Sequence, residues 1–194
     1  GGIYSGGEST YYDMAFHAAV TNSFVHGANF PPVYTPMPPA PLLYPFLPDF
    51  LTALLVAMGF SLHTALVWTA VPLCLSLTGV FYFLAFRLIK SSGGILSERF
   101  ATWSAAVAVL LFFLNGGLGF IYFFQDWGNL HVNYTHLPDK GLVWPNVITD
   151  MLLPQRTSIF GLALGFIVIT CFAIYWQRDP EKWNGSRELL VAGL

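Results

Sequence analysis

Positive charge is missing from the first 86 residues: Arg87 is the first basic side chain, and the 194 residues hold only eight lysines and arginines. Charged residues make up 9% of the chain while 55% is hydrophobic. A soluble domain carries about 25% charged residues, so a water-soluble core is a poor account of this composition. The net charge of −2 removes the electrostatic case for binding nucleic acid, which needs a basic patch. Cys74 and Cys171 both sit inside apolar runs, which argues against a disulfide framework. There is neither an initiator Met nor a signal-peptide pattern. With an apolar run opening at Leu189, the chain reads as an internal piece of a larger membrane protein.

What is present is membrane-grade apolar sequence. Crossing a bilayer takes about 20 apolar residues in a helix. Positions 100–125 and 157–177 are free of Asp, Glu, Lys and Arg, as is the longer run 50–86. That longer run exceeds one crossing at about 1.5 Å per residue, and Met58-Gly-Phe-Ser61 divides it. Helical spans are expected over 62–88, 100–125 and 157–177. The piece over 46–60 is too short to cross and is expected to lie on the surface as an interfacial helix.

Charge sets the orientation. Arg87, Lys90 and Arg99 flank one short loop, and Arg178, Lys182 and Arg187 lie in another. If 46–60 does not cross, these six basic residues are cytoplasmic, as the positive-inside rule requires. Residues 1–45 and 126–156 are then outer loops, and 178–194 is a cytoplasmic loop running into the next span. The expected fold is all-α: a polytopic helical membrane protein with three spanning helices and one outer-face interfacial helix. Within the spans, Pro72 is tolerable where neighbours satisfy the freed backbone. Asn115-Gly-Gly-Leu-Gly119 reads as a close-packing patch or a kink.

The outer loops carry the candidate chemistry. A helix is expected over Thr10 to Val25, with Asp13 and His17 one turn apart on one face. Their plain reading is a dipole-favouring acid bonded to a histidine. Their functional reading is a general base, Asp13, oriented by His17 or sharing a substrate with it. Glu8 is a second candidate carboxylate. The prolines from Pro31 to Pro48 predict a stiff, extended segment. Arg156 sits on the outer side against the charge bias. It is either a snorkelling helix end or a cation for a phosphate headgroup, with Gln155 and His131 as further candidate substrate contacts. His131, His136 and Asp126 match no strong metal-ligand spacing, so no metal site and no cofactor is expected. Asn133-Tyr-Thr135 and Asn184-Gly-Ser186 both match the glycosylation pattern. They fall on opposite sides of the expected membrane, so at least one is accidental.

Taken together, Tyr12-Asp13 with His17, Asn29-Phe-Pro-Pro32, Pro41-Leu-Leu-Tyr-Pro-Phe-Leu-Pro-Asp49 and Gly59-Phe-Ser-Leu62 resemble the GT-C superfamily. Its members are polytopic glycosyltransferases, such as the protein O-mannosyltransferases, that use polyprenyl-phosphate sugars. Asn115-Gly-Gly-Leu-Gly-Phe120, Trp144-Pro-Asn146 and Leu153-Pro-Gln-Arg156 with Phe160-Gly161 look like a group of bacterial membrane proteins assigned to that superfamily. The resemblance implies transfer of a sugar from a lipid-linked donor to an acceptor at the outer face of a bacterial plasma membrane. It also implies that Asp13 is the first-loop catalytic acid. Many members show an acidic pair there, whereas Asp13 is followed by Met14. No Asp-x-Asp occurs, against a metal-dependent variant. The rival expectation is a non-catalytic membrane protein, a transporter or an assembly subunit. Transporters place ionisable groups near the midplane, and here the expected spans hold only His63, near an outer end, and Arg87, at the cytoplasmic end of 62–88.

Overall fold

The computed structural model describes residues 8–92, 97–131 and 134–176. The all-α expectation holds. Helices α1 (Glu8–His26), α2 (Leu47–Ala57), α3 (Leu62–Ser92), α4 (Glu98–Leu114), α5 (Phe120–Phe123) and α6 (Arg156–Trp176) account for most of it. The described strands are two residues each, β1 (His136–Leu137) and β2 (Leu142–Val143), paired antiparallel with His136 opposite Val143.

The chain divides into two compact units. The first is Gly1–Ala70 with Phe112–Ser158, and the second is Val71–Leu111 with Ile159–Leu194. In the second unit Leu77, Leu84, Ala101, Ala105 and Ala163 are buried, and the Phe81 and Phe166 rings meet at 5.0 Å. In the first unit α1 packs against α2, with Phe24 edge-on to Phe50 at 5.3 Å.

The break between α2 and α3 lies at Met58-Gly-Phe-Ser61. Met58 caps α2. Gly59 adopts φ of 99°, a backbone that glycine enters without a Cβ penalty. The Ser61 hydroxyl then accepts the Thr64 N–H at 3.2 Å, the bond that starts a helix.

Two helices are long and apolar enough to cross a membrane among the described residues, Leu62–Ser91 and Arg156–Trp176. Among the described residues, only 22% and 17% of their apolar windows are buried. The stretch 100–125 was expected to be one span, and here the structure departs from the sequence. Helix α4 has 17 residues and stops at Leu114. Asn115 marks the break: its side chain donates to the Phe112 carbonyl at 2.6 Å. Asn115 is also claimed from outside the helix, its side-chain oxygen accepting from the Trp144 indole at 2.7 Å and its carbonyl from the Asn146 amide at 2.5 Å. Gly117 adopts φ of 67°, and a Cβ there would lie 2.9 Å from Trp144. The glycine patch is thus neither a helix–helix contact nor a kink but the seat of Trp144-Pro-Asn146.

The proline stretch also differs from expectation. It folds back on itself instead of running extended, with Val33 bridged to Pro41. Between the prolines, the N–H groups of Tyr34, Met37, Ala40 and Leu42 are bonded to carbonyls within the segment. Asn29 closes the base of this loop, exchanging bonds of 2.9 Å in both directions with the Val33 backbone.

Candidate functional site

The buried centre of the first unit is polar. His17, Thr21, Asp49, Thr52, Thr69 and Arg156 are all buried. His17 arrives from the middle of α1, Asp49 and Thr52 from the first turns of α2, Thr69 from α3, and Arg156 opens α6. Pro48 and Asp49 belong in the first turn of α2, where a missing N–H costs nothing and an acid favours the dipole.

His17 Nδ1 lies 2.8 Å from Asp49 Oδ2, and His17 Nε2 lies 3.1 Å from the Pro154 carbonyl. Both partners are acceptors. The imidazole is thereby fixed at both nitrogens, between α2 and the Pro154 backbone. On the other side of the same carboxylate, Arg156 Nη1 lies 3.5 Å from Asp49 Oδ1, the reach of an ion pair rather than of a short hydrogen bond. Arg156 also donates to Thr52 Oγ1 at 3.3 Å and, through Nη2, to the Leu66 carbonyl at 3.0 Å. Thr52 is in turn 3.1 Å from Thr69 Oγ1, and Thr21 reaches the Asp49 carbonyl at 3.5 Å. An isolated buried ion costs several kcal/mol in lost hydration; Asp49 offsets that cost for Arg156.

The rings of Phe16 and Tyr44 stand around His17. Tyr44 is edge-on to Phe16 at 5.0 Å and to the imidazole at 5.9 Å. The Tyr44 hydroxyl lies 3.3 Å from Thr157 Oγ1. Five segments distant in sequence are thereby tied at one point: α1, the end of the proline stretch, α2, the start of α3, and Leu153–Thr157.

Against this geometry the expected site residues separate. The structure corrects the pairing of His17 with Asp13, because both nitrogens of His17 are taken by Asp49 and Pro154. Asp13 lies one turn earlier on α1, half-buried. Among the described residues no hydrogen bond or ion pair engages its carboxylate. Arg156 is neither snorkelling nor open to solvent: it is 4% exposed and turned inward. Gln155 is exposed, and its side-chain oxygen is 3.4 Å from the Ser158 hydroxyl. His131 lies apart, exposed, with Nε2 3.7 Å from Asp126 Oδ2. Glu8 is the first residue of α1. Both asparagines that match the glycosylation pattern, Asn133 and Asn184, lie outside the described residues, as does the expected loop 178–194. Among the described residues no group of three or more His, Cys, Asp or Glu side chains is placed to hold a metal.

The residue that sequence reasoning missed is Asp49. In the sequence it stands only as the end of the Pro41–Asp49 motif and beside the edge of an apolar run. The available signal was an acid at the start of a helix whose i+3 neighbour is Thr52. Its ammonium or guanidinium partner had to come from far along the chain, since none lies within the preceding 48 residues or the next 37. No family model matches the chain, and neither a curated protein nor a solved structure does.

Proposed function

We propose that the chain is part of a membrane glycosyltransferase of GT-C type, acting at the outer face of a bacterial plasma membrane. The donor is a sugar on a polyprenyl phosphate held in the bilayer. Asp13 accepts the proton of the acceptor hydroxyl. That oxygen forms the new bond to the anomeric carbon as the bond from this carbon to the phosphate oxygen breaks. Polyprenyl phosphate leaves with the bonding pair.

The observation that carries this reading is the relation of Asp13 to the buried cluster. His17 is locked by Asp49 and Pro154, and Asp13 sits one turn away on the same helix, outside the lock. The carboxylate is carried beside the cluster without being consumed by it, which leaves it available for the part of a general base. His17 and Arg156 are positioning residues in this scheme: they hold α1 against α2 and the Pro154–Arg156 corner. Placement in a membrane is supported by the two span-length apolar helices and their exposed faces. The inward-facing Arg156 is the one feature that equally suits the rival, a non-catalytic membrane protein stabilised by the same cluster.

The deciding experiment is transfer from a panel of radiolabelled polyprenyl-phosphate sugars by the protein in membranes. Label moved to an acceptor supports the reading. A full panel with no transfer by well-folded protein rejects it in favour of the non-catalytic one.

A further inference from the structure

The segment from Leu118 to Leu130 turns its apolar side chains outward. Leu118, Phe120, Ile121, Phe124, Trp127 and Leu130 are all at least half exposed, Phe124 and Trp127 by 76% and 73%. Its less exposed groups face the protein. The Phe123 ring meets Tyr134 at 5.5 Å, Tyr122 lies 5.5 Å beneath the Lys140 ammonium, and Asp126 turns toward His131. Helix α2, in the same unit, shows the same inversion: Asp49 and Thr52 are fully buried, while Leu47, Leu51 and Leu54 are exposed. In water, each Å² of apolar surface left open forgoes about 25 cal/mol. Against lipid the same arrangement is favourable.

The backbone decides where in the bilayer such a segment can sit. Beyond the single turn of α5 its bonds are those of successive tight turns, Gln125 N–H to the Tyr122 carbonyl and Asn129 N–H to the Asp126 carbonyl. Irregular backbone exposed to hydrocarbon leaves polar groups without partners and does not occur there. The headgroup region supplies those partners and is also where Trp side chains collect. We infer that residues 118–130 are an interfacial anchor whose partner is the bilayer's headgroup–acyl boundary, a second surface element beside α2 rather than the end of a span. Scarcity of charge here, with Asp126 the one formal charge in the segment, makes the attraction apolar and insensitive to lipid charge. This inference rests on the membrane placement proposed above and is independent of the transfer reaction.

Phe124→Cys and, separately, Leu130→Cys in a Cys74→Ser/Cys171→Ser background would each carry a nitroxide in the full chain. The proteins would be reconstituted in phosphatidylcholine vesicles with and without phosphatidylglycerol. Accessibility to oxygen and to a water-soluble nickel chelate reports depth. Ile167→Cys, midway along α6, serves as the deep reference and Asp139→Cys as the wet one. Both anchor labels are expected about 5–10 Å below the phosphates, at the same depth in both lipids. Labels as wet as position 139 overturn the inference. So do labels shielded from both reagents, which would mean a protein partner or second copy, and labels as deep as position 167, which would mean a span. Water access at position 167 itself would instead overturn the membrane placement, and the anchor with it.

Discussion

His17 and Asp49 lie 32 residues apart in sequence and 2.8 Å apart in the structure, with neither side chain more than 1% exposed. The carboxylate stands between an imidazole and a guanidinium, so its removal strands two buried donors at once. Breaking a buried ion pair by removing one partner costs about 3–5 kcal/mol. Asp49→Asn is expected to lose stability of that order, read as a lowered midpoint of unfolding in detergent. The double variant Asp49→Leu/Arg156→Met should lose less than the sum of its singles, because it leaves no charge unpaired. Additive losses would show that the two groups are not coupled.

Arg156→Lys preserves the charge but not the fork. The guanidinium reaches Asp49 and Thr52 with one nitrogen and the Leu66 carbonyl with the other. An ammonium is a single point, so the charge-assisted bond to the Leu66 carbonyl is lost, at about 1.5–3 kcal/mol. Equal unfolding midpoints for Arg156→Lys and the parent would contradict the two-pronged contact.

The glycines divide by what surrounds them. A Cβ at Gly119 would overlap the Tyr134 carbonyl oxygen, whereas nothing lies within 4 Å of one at Gly165. Gly119→Ala is expected to cost at least the roughly 1–3 kcal/mol of ordinary overpacking. Gly165→Ala, inside α6, should cost nothing or gain up to about 1 kcal/mol from helix propensity. Thermal unfolding of the two single variants checks the contrast.

Local pattern carried the helices far into the structure. The helix expected over Thr10 to Val25 is Glu8–His26, and the short piece before Met58 is Leu47–Ala57. Each is set by neighbours within a turn or two: apolar runs, Pro48 at a helix start, Gly59 and Ser61 at a boundary. The errors came where distant residues intervene. Asp13 at i−4 is the obvious local partner for His17, but Asp49 wins because α1 packs on α2. The run 100–125 has the composition of one span. It breaks because Trp144 and Asn146, some thirty positions on, take hold of Asn115. Prolines at this density favour a stiff, extended chain, yet the residues between them can donate, and their bonds close a loop. The ion-pair geometry of Arg156 was invisible for the same reason: charge bias along a sequence says which side of a membrane a residue is on, not what it faces.

The measurement that bears most directly on the proposed function is sugar transfer by Asp13→Asn, compared with the parent protein in the same membranes and with the same polyprenyl-phosphate donor. The substitution is nearly isosteric and lies outside the His17–Asp49–Arg156 cluster, so expression and the midpoint of unfolding should be unchanged. Transfer should fall by about 10²–10⁴-fold, the contribution of a positioned general base. Transfer at the parent rate in Asp13→Asn would contradict the assignment of Asp13 as the base.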